Sequence, residues 1–308
     1  MTARVSIVMR TKDRPVLLAR ALADVAAQTF TAWELIVVND VGAPAPVDAA
    51  VAALEASVRE RVRVLHRTES VGMESASNAG LAVASGEYAC IHDDDDTWAP
   101  EFLERTVAHL DAHPDDVGVV VRTQIVRERV DGDRITETGR DEFWPELPAI
   151  SLSDLLRTNR FVPIQLLYRR AVHDTIGPFN EGLRVVGDWD FHLRLLRRHT
   201  VGLIDETLAF WHHREAADGA LANSVAALDE HARADLLLRD EQLKDAVAER
   251  GLGELLYLTR YLQGQFDHLH QRLNHIEHRL DEIEAGVRSS AEDAARRQGG
   301  PLGRLRRP

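Results

Sequence analysis

Residues 91–100 read Ile91-His-Asp-Asp-Asp-Asp-Thr-Trp-Ala-Pro100, and this stretch indicates both a fold and a site. An apolar segment typical of a buried strand begins at Tyr88 and leads directly into four carboxylates. These charges repel one another unless a cation or water lies among them, and divalent cations such as Mg²⁺ prefer carboxylate oxygens. The alternative is a solvated acidic turn, because runs of charge usually face water. The sequence on either side favours the site.

The first 123 residues alternate short apolar runs with amphipathic segments, which is typical of βαβ units that form a parallel sheet. Ligands of open α/β sheets bind beyond the carboxyl ends of the strands. Thr11, Asp40 and the run Asp93–Asp96 follow three such ends, so we expect them at one edge of the sheet. The predicted strands are Val5–Met9, Leu35–Val38, Val62–Leu65, Tyr88–His92 and Val117–Val121, and the predicted helices are Pro15–Ala27, Val47–Val58, Ser75–Ala84 and Pro100–Leu110.

The pattern changes at about Gln124. Asp131-Gly132, between two alternating segments, is a strong hairpin signal. Beyond Arg214 the composition is helical, with only a weak strand signal at Leu255–Leu258. Between the hairpin and Arg214 we predict a helix at Ser153–Arg157, a strand at Pro163–Tyr168 and a helix at Gly187–Arg198.

Several sequence blocks resemble those of glycosyltransferase family 2, in the order that the family has them. The resemblance covers roughly residues 4–215. It implies an α/β domain of the GT-A fold at 1–215, Rossmann-like with a mostly parallel central sheet, which transfers a sugar from a nucleotide sugar, mostly with inversion. Residues 1–123 correspond to the nucleotide-sugar half and 124–215 to the acceptor half. The blocks that carry the resemblance are Val5–Pro15, Trp33–Asp40, Val71–Gly80, Ala84–Tyr88, Asp93–Asp96 and Val186–Asp190.

The resemblance places several polar residues near the nucleoside. Thr11 and Asp13 are expected there, although both residue types could instead cap the helix that begins at Pro15. Asp40 ends a buried strand, where an unpaired carboxylate is costly, and the resemblance implies that it accepts hydrogen bonds from base or ribose. Asn78 matches the asparagine of the family's Arg-Asn pair, but Ser77 stands where the arginine is usual.

The family's Asp-x-Asp motif corresponds to Asp93 and Asp95. The resemblance implies that Asp95 binds Mn²⁺ or Mg²⁺ directly, that Asp93 contributes to the metal site, and that Asp93 and Asp94 lie at the nucleotide. The ion would bridge the two phosphates and neutralise charge on the departing nucleoside diphosphate. The resemblance also implies that a histidine at Trp211–Arg214 completes the metal or diphosphate site. Neighbouring residues on a strand point to opposite faces, and the register favours His213 over His212 as this ligand; the alternative is a structural histidine.

The block around Asp188 matches the family's Glu-Asp pair, although Gly187 replaces the glutamate. The resemblance implies that Asp188 is the general base, because inverting transfer needs a carboxylate that takes the proton of the acceptor hydroxyl. The alternatives are that Asp188 caps a helix or that Asp190 is the base. If Asp188 begins a helix, the helix dipole should favour its ionised form.

Composition limits the classes of function. A formal charge of −13 argues against nucleic-acid binding, which needs a basic surface. One cysteine, Cys90, excludes an intrachain disulfide framework. No apolar run approaches the roughly 20 residues of a membrane span, and no secretion signal is recognisable. We therefore expect a protein that is cytoplasmic or peripheral at the inner face of the membrane.

The C-terminal region has its own pattern. We predict a helical linker at 216–254, a coiled-coil helix at 255–290 and a disordered basic tail at 291–308, whose arginines could contact anionic lipid. A heptad pattern cannot be buried by one helix, so the stripe should pair with a second copy of the chain or dock on the enzyme's own body. The stripe consists of Leu262, Phe266, Leu269, Leu273, Ile276, Leu280, Ile283 and Val287.

These features predict a metal-dependent inverting glycosyltransferase. The predicted donor is a nucleoside diphosphate sugar, with UDP as the carrier, and the predicted acceptor is a hydroxyl of a saccharide or lipid-linked molecule in cell-surface polysaccharide synthesis. One alternative is a sugar nucleotidyltransferase, although the first strand lacks the Gly-rich phosphate loop. The other is a catalytically degenerate scaffold, suggested by Ser77 and Gly187.

Overall fold

The computed structural model of the protein describes residues 2–214 and 228–298. The chain divides into two units, Met1–Leu238 and Arg239–Pro308. The described strands are β1 (Val5–Thr11), β2 (Trp33–Asn39), β3 (Val62–His66), β4 (Tyr88–Asp93), β5 (Thr97–Trp98), β6 (Asp116–Asp131), β7 (Arg134–Phe143), β8 (Leu166–Arg169) and β9 (Thr200–His213). The described helices are α1 (Pro15–Ala26), α2 (Pro44–Ala52), α3 (Ala56–Arg59), α4 (Met73–Leu81), α5 (Phe102–Ala112), α6 (Leu152–Leu155), α7 (His173–Ile176), α8 (Gly187–Leu196), α9 (Leu228–Arg250) and α10 (Gly253–Gln298), with 3-10 turns at Pro163–Gln165 and Arg170–Val172.

The strands form one mixed sheet in the order β3-β2-β1-β4-β8-β6-β9-β5, and β7 pairs with β6. The β3-β2-β1-β4 half is parallel, whereas β8, β5 and β7 join by antiparallel pairing. β1 is apolar and buried on both faces, which is typical of a parallel strand covered by helices. The α/β class with C-terminal helices is confirmed.

Helix α4 lies very close to the sheet. A Cβ at Gly80 would lie 3.1 Å from Cγ2 of Val8 and 3.2 Å from Cγ2 of Val38, and closer still to Cγ1 of Val8. Only glycine allows this approach, so the packing against β1 and β2 fixes the position of α4. The first turn of α4 is thereby held beside the carboxyl end of β1.

The carboxyl ends of the parallel strands meet at one edge. Arg10 of β1 pairs in register with Asp93 of β4, and Thr11 pairs with Asn39 of β2. Asp40 follows directly after β2, and its backbone N–H donates to the carbonyl of Thr11. The common edge that the sequence predicted is therefore present.

Several predicted elements differ from the observed ones. The predicted helix at 47–58 is interrupted between α2 and α3, and the predicted strand at 117–121 is the buried beginning of the 16-residue β6. The weak strand signal at Leu255–Leu258 is wrong, because these residues lie in α10. The long β9 was recognised only at its last residues, because its carboxylates interrupt the alternation.

The second unit contains the C-terminal part of α9 and the 46-residue α10. All eight residues of the heptad stripe lie on α10 and are between 49% and 64% exposed. Helix α10 runs to Gln298 and so includes the first part of the segment that we predicted as a disordered tail. The rest of the predicted basic tail, 299–308, and the linker residues 215–227 lie outside the described residues. Within the described ranges, no helix combines the length and apolarity that a bilayer span requires.

Candidate functional site

A cavity of about 450 Å³ opens at the carboxyl ends of β1, β2 and β4, and we call it the Asp40 cavity. It brings together five of the six residues that the sequence placed at the nucleotide. Its positive side chains come from the β1–α1 turn. The lining residues are Arg10, Thr11, Lys12, Asp13, Arg14, Asp40, Met73, Ala76, Asp93 and Asp94.

Thr11 and Asp13 do not cap α1. The cap position is occupied by Arg14, whose side chain makes no capping hydrogen bond. The hydroxyl of Thr11 instead donates to Oδ2 of Asp94 at 2.7 Å, and the carboxylate of Asp13 accepts from the backbone N–H of Ala43 at 3.0 Å. Both residues therefore shape the wall of the Asp40 cavity.

Two hydrogen-bond donors hold the carboxylate of Asp40 just beyond the carboxyl end of β2. Nη1 of Arg67 lies 2.6 Å from Oδ1, and the hydroxyl of Ser70 lies 2.5 Å from Oδ2. Arg67 also donates to Ser75 on α4. The carboxylate is therefore fixed in direction before any ligand arrives.

Asn78 is not brought into the Asp40 cavity. Its amide nitrogen donates to the carbonyl of Phe179 at 2.9 Å and to Glu181 at 2.8 Å, and its Oδ1 accepts from the backbone N–H of Phe179 at 3.0 Å. The side chain lines a separate cavity beside α7. Because both ends of the amide serve this loop, the observed contacts of Asn78 are structural.

Asp93 is neutralised by Arg10, its neighbour in the sheet register. Nε of Arg10 lies 2.8 Å from Oδ1 of Asp93, and Nη2 lies 2.8 Å from Oδ2. The remaining nitrogen, Nη1, lies 3.2 Å from Glu74 and 3.3 Å from the hydroxyl of Ser77. A cation from β1 thus contacts Ser77, where the family has arginine.

The other three carboxylates of the run are also engaged. Asp94 and Asp95 both accept from Nη1 of Arg14 at 3.2 Å, and Asp95 also pairs with Arg214. Oδ1 of Asp96 accepts from the backbone N–H of His212 at 2.9 Å. Burial, and then the charge of Asp95, raise the pKa of Asp94 to about 7. The run is therefore an arginine-compensated cluster rather than a solvated turn.

Sequence reasoning missed Glu128, the centre of the buried polar network behind this run. Its carboxylate, 2% exposed, accepts from Arg20 at 2.5 Å, from Arg214 at 2.7 Å and from Nδ1 of His212 at 2.8 Å. Burial opposes ionisation, but the hydrogen bonds from His212 and Arg20 outweigh it and hold the pKa of Glu128 at about 2. In the sequence, Glu128 lies between two arginines and looks like a surface residue.

Glu128→Gln should make unfolding less pH-dependent in acid. The folded pKa lies below the ordinary 4.5, so the ionised carboxylate stabilises the fold above pH 4.5 and this contribution is lost as pH falls towards 2. The full contribution is on the order of 3 kcal/mol. Denaturant titrations at pH 7 and pH 3 should show the wild type's advantage over the variant shrinking in acid. An equal advantage at both pH values would contradict this role.

The two histidines at the end of β9 make different contacts. Thr97 and Glu128 flank the imidazole of His212, 2.9 Å from Nε2 and 2.8 Å from Nδ1, which suits a neutral ring that accepts from the hydroxyl and donates to the carboxylate. The ring of His213 packs edge-on against Trp211. The predicted role of His213 as a metal ligand remains a prediction.

The chemistry of the donor set suits a hard divalent cation. Mg²⁺ typically uses one or two carboxylates and completes its sphere with phosphate oxygens and water. Asp93, with 28% of its side chain exposed, lines the Asp40 cavity, whereas Asp95 is absent from that lining and pairs with Arg14 and Arg214. Among the described residues no group of three or more such ligands forms a closed protein cage. The residues present therefore suit an ion that arrives with a diphosphate.

A second cavity of about 340 Å³ adjoins the first, and we call it the Asp188 cavity. The two share Arg10, Met73 and Asp93 in their walls. Aromatic side chains from the acceptor half form much of its lining, which is typical of sites for small molecules. These aromatic residues are Phe143, Trp144, Trp189 and Trp211.

Asp188 lies in the first turn of α8, after Val186 at the cap position. Its Oδ2 accepts from the amide of Asn159 at 2.8 Å. Burial raises the pKa of Asp188 and outweighs the hydrogen bond from the backbone of Trp189, so the helix terminus does not dominate as the sequence suggested. The alternative base, Asp190, pairs with Arg194 one turn along the helix at 2.8 Å.

The chain is similar in sequence to proteins that are named as glycosyltransferases. A chain from Bacillus subtilis named uncharacterized glycosyltransferase YwdF is 28% identical over 259 residues, which cover 82% of this chain and 86% of the relative. The PGL/p-HBAD biosynthesis glycosyltransferase of Mycobacterium bovis is 28% identical over 191 residues, 61% of this chain and 68% of the relative.

Solved structures share the fold. S. aureus TarS 1-349 in complex with UDP-GlcNAc superimposes with a TM-score of 0.57 and 20% identity, over 72% of this chain and 62% of that one. The mannosyltransferase PcManGT from Pyrobaculum calidifontis, solved with GDP-Man and Mn²⁺, gives 0.50 and 17%, over 68% and 57%. The chain thus spans less than two thirds of either structure.

The family model for glycosyl transferase family 2 matches residues 6–177, which is more than half of the chain. The match includes β1, β2 and β4, which carry the Asp40 cavity. It ends before Asp188. The chain therefore belongs to glycosyl transferase family 2 and is a nucleotide-sugar-dependent glycosyltransferase.

Proposed function

We propose that the protein transfers a sugar, with inversion, from a UDP-sugar to a hydroxyl of a saccharide or lipid-linked acceptor, in a divalent-metal-dependent reaction. The main supporting observation is that the Asp40 cavity and the Asp188 cavity meet at Arg10 and Asp93. The complexes of TarS with UDP-GlcNAc and of PcManGT with GDP-Man and Mn²⁺ give precedents for such donors and for the metal.

The Asp40 cavity is the proposed donor site. Asp40 would accept hydrogen bonds from the base or ribose, while the cations of Lys12 and Arg14 lie on the same wall for the diphosphate. Asp93 and Asp95 would hold a divalent ion, which neutralises charge on the leaving nucleoside diphosphate. The protein's own part is to fix these groups in advance, which Arg10 and Arg14 do through their ion pairs.

The Asp188 cavity is the proposed acceptor site. Asp188 would take the proton of the attacking hydroxyl as the bond to the anomeric carbon forms and the bond to the phosphate oxygen breaks. Burial raises its proton affinity, which suits a base. The faces of Trp144 and Trp211 would exclude water and orient the acceptor ring.

Calorimetry with UDP and GDP, with and without Mn²⁺, tests the donor assignment. We expect UDP to bind more tightly than GDP, and Asp40→Ala to weaken UDP by roughly 10- to 100-fold, the usual effect of losing a hydrogen bond to a charged group. Asp48→Ala is the matched control, because this carboxylate pairs with His66 and is absent from the lining of the Asp40 cavity. Equal affinities of the two variants would overturn the role of Asp40.

We also propose that the heptad stripe of α10 pairs with a second copy of the chain. Eight apolar residues at alternating spacings of four and three are all exposed in the single chain, and a stripe of this period is typical of coiled coils. Leu269→Asp combined with Ile276→Asp should reduce the mass in analytical ultracentrifugation to that of one chain. Gln271→Asp with His278→Asp, off the stripe, should keep the wild-type mass. A wild type that sediments as one chain would contradict the pairing.

A further inference from the structure

Gly187, at the start of α8, borders a space that another residue fills. A Cβ at this position would lie 2.5 Å from Cδ of Glu74 and closer still to its Cγ and Oε1. Gly187 has helical backbone geometry, so its backbone conformation does not require glycine. The glycine is required because the carboxylate of Glu74, from α4, occupies the place of a side chain at 187.

Glu74 places a buried carboxyl group at the wall of the Asp188 cavity. Its side chain is 5% exposed, and its Oε2 accepts from Nη1 of Arg10 at 3.2 Å. Burial raises the pKa of Glu74 to about 7, because the charge of Arg10 only partly offsets it and the charges of Asp188, Asp93 and Asp190 add to it. A carboxyl group buried beside other carboxylates contributes little to the stability of the fold, because an apolar residue of similar volume usually stabilises the fold as well or better. The presence of Glu74 therefore indicates a role in the functional site rather than in core packing.

Arg10 links this carboxylate to the proposed donor site. The guanidinium holds both oxygens of Asp93 through Nε and Nη2, and its Nη1 lies between Glu74 and Ser77. An arginine held on both sides keeps one planar orientation. Without Glu74, Nη1 would lose its charged partner and the guanidinium could turn away from Asp93.

We propose that Glu74 is a positioning residue for the transfer: its carboxyl group fills the gap at Gly187 and holds Arg10, so that Asp93 keeps its position beside Asp188 in the lining of the Asp188 cavity. This proposal rests on the proposed function. Two positions 113 residues apart thus share one carboxylate site, which either α4 or α8 could supply.

An exchange of the carboxylate between the two positions tests this directly. Glu74→Ala should lower kcat by roughly 10- to 100-fold, as expected for small misplacement of reacting groups. Gly187→Glu alone should be at least as impaired, because two side chains then compete for one space. The double variant, Glu74→Ala with Gly187→Glu, should regain kcat at least about 10-fold over the better single variant, since the two sites are coupled.

Folding is separated from positioning by Glu74→Gln, which keeps the shape and removes the charge. A lower kcat at an unchanged melting temperature supports the proposal, and an unchanged kcat overturns it. A double variant that folds but is no better than the singles also overturns it. If the wild type transfers no sugar from any donor, the proposed function itself falls, whereas an active wild type with a fully active Glu74→Gln variant excludes only the role of Glu74.

Discussion

Replacing Asp188 by asparagine should lower kcat by roughly 10²- to 10⁴-fold, the usual contribution of a positioned general base. The asparagine side chain has the same shape as aspartate and can still contact Asn159, whose amide nitrogen lies 2.8 Å from Oδ2 of Asp188 in the wild type. Asp188 is absent from the lining of the Asp40 cavity, so the affinity for UDP should not change. Steady-state release of UDP with a saccharide acceptor measures the first effect and calorimetry the second.

Asp190→Asn is the matched control for Asp188→Asn. Asp190 lies two residues further along α8, but its carboxylate pairs with Arg194 and is buried to 5% exposure. We expect Asp190→Asn to lower the stability of the fold but not to impair proton transfer. If Asp190→Asn reduced kcat more than Asp188→Asn did, at equal folded fraction, the base would be Asp190.

Asp95→Asn should also slow transfer strongly, but through the metal site rather than through proton transfer. Measurements of UDP affinity with and without Mn²⁺ distinguish the two causes. The variant lacks one negative charge at the carboxylate that contacts Arg14 and Arg214. We expect kcat/KM to fall at least about 100-fold, because charge on the leaving group is no longer compensated. The gain in UDP affinity on adding Mn²⁺ should disappear, whereas Asp188→Asn should retain it.

Metal removal is the matching control for Asp95→Asn. EDTA added to the wild type should reproduce the loss of transfer, and Mn²⁺ should restore it in the wild type but not in the variant. A wild type that is fully active in EDTA would contradict the metal dependence. In that case the arginines of the cluster would carry the charge compensation alone.

The sequence predicted the parallel half of the sheet well because apolar strands and their polar ends are local signals. Thr11, Asp40 and Asp94 could be gathered at one edge for this reason. Partner choice is not local: the contact of Asn78 with Phe179 joins residues 101 positions apart. A family motif identified Asn78 as a nucleotide ligand, but only the packing of α4 decides where its amide points.

Compensating substitutions were also hidden from the sequence. Ser77 and Gly187 looked like two losses, of a cation and of an anion. In the fold, Arg10 reaches Ser77 and Glu74 reaches Gly187, so a guanidinium and a carboxyl group occupy these two places but come from other positions in the chain. A comparison of sequences position by position records such changes only as losses of the family residue. It carries no information on which side chains occupy the same space in the fold.

The arginine-compensated cluster has a consequence for which anions the cleft admits. The two guanidinium groups that line the Asp40 cavity, those of Arg10 and Arg14, are already paired with aspartates. A bare anion such as inorganic phosphate that took one of them would leave a carboxylate without its counter-charge. A diphosphate accompanied by its own divalent ion replaces both partners at once and keeps the cleft electrically balanced. If the protein uses a metal-bound donor as proposed, we therefore expect it to prefer the metal-bound diphosphate to inorganic phosphate.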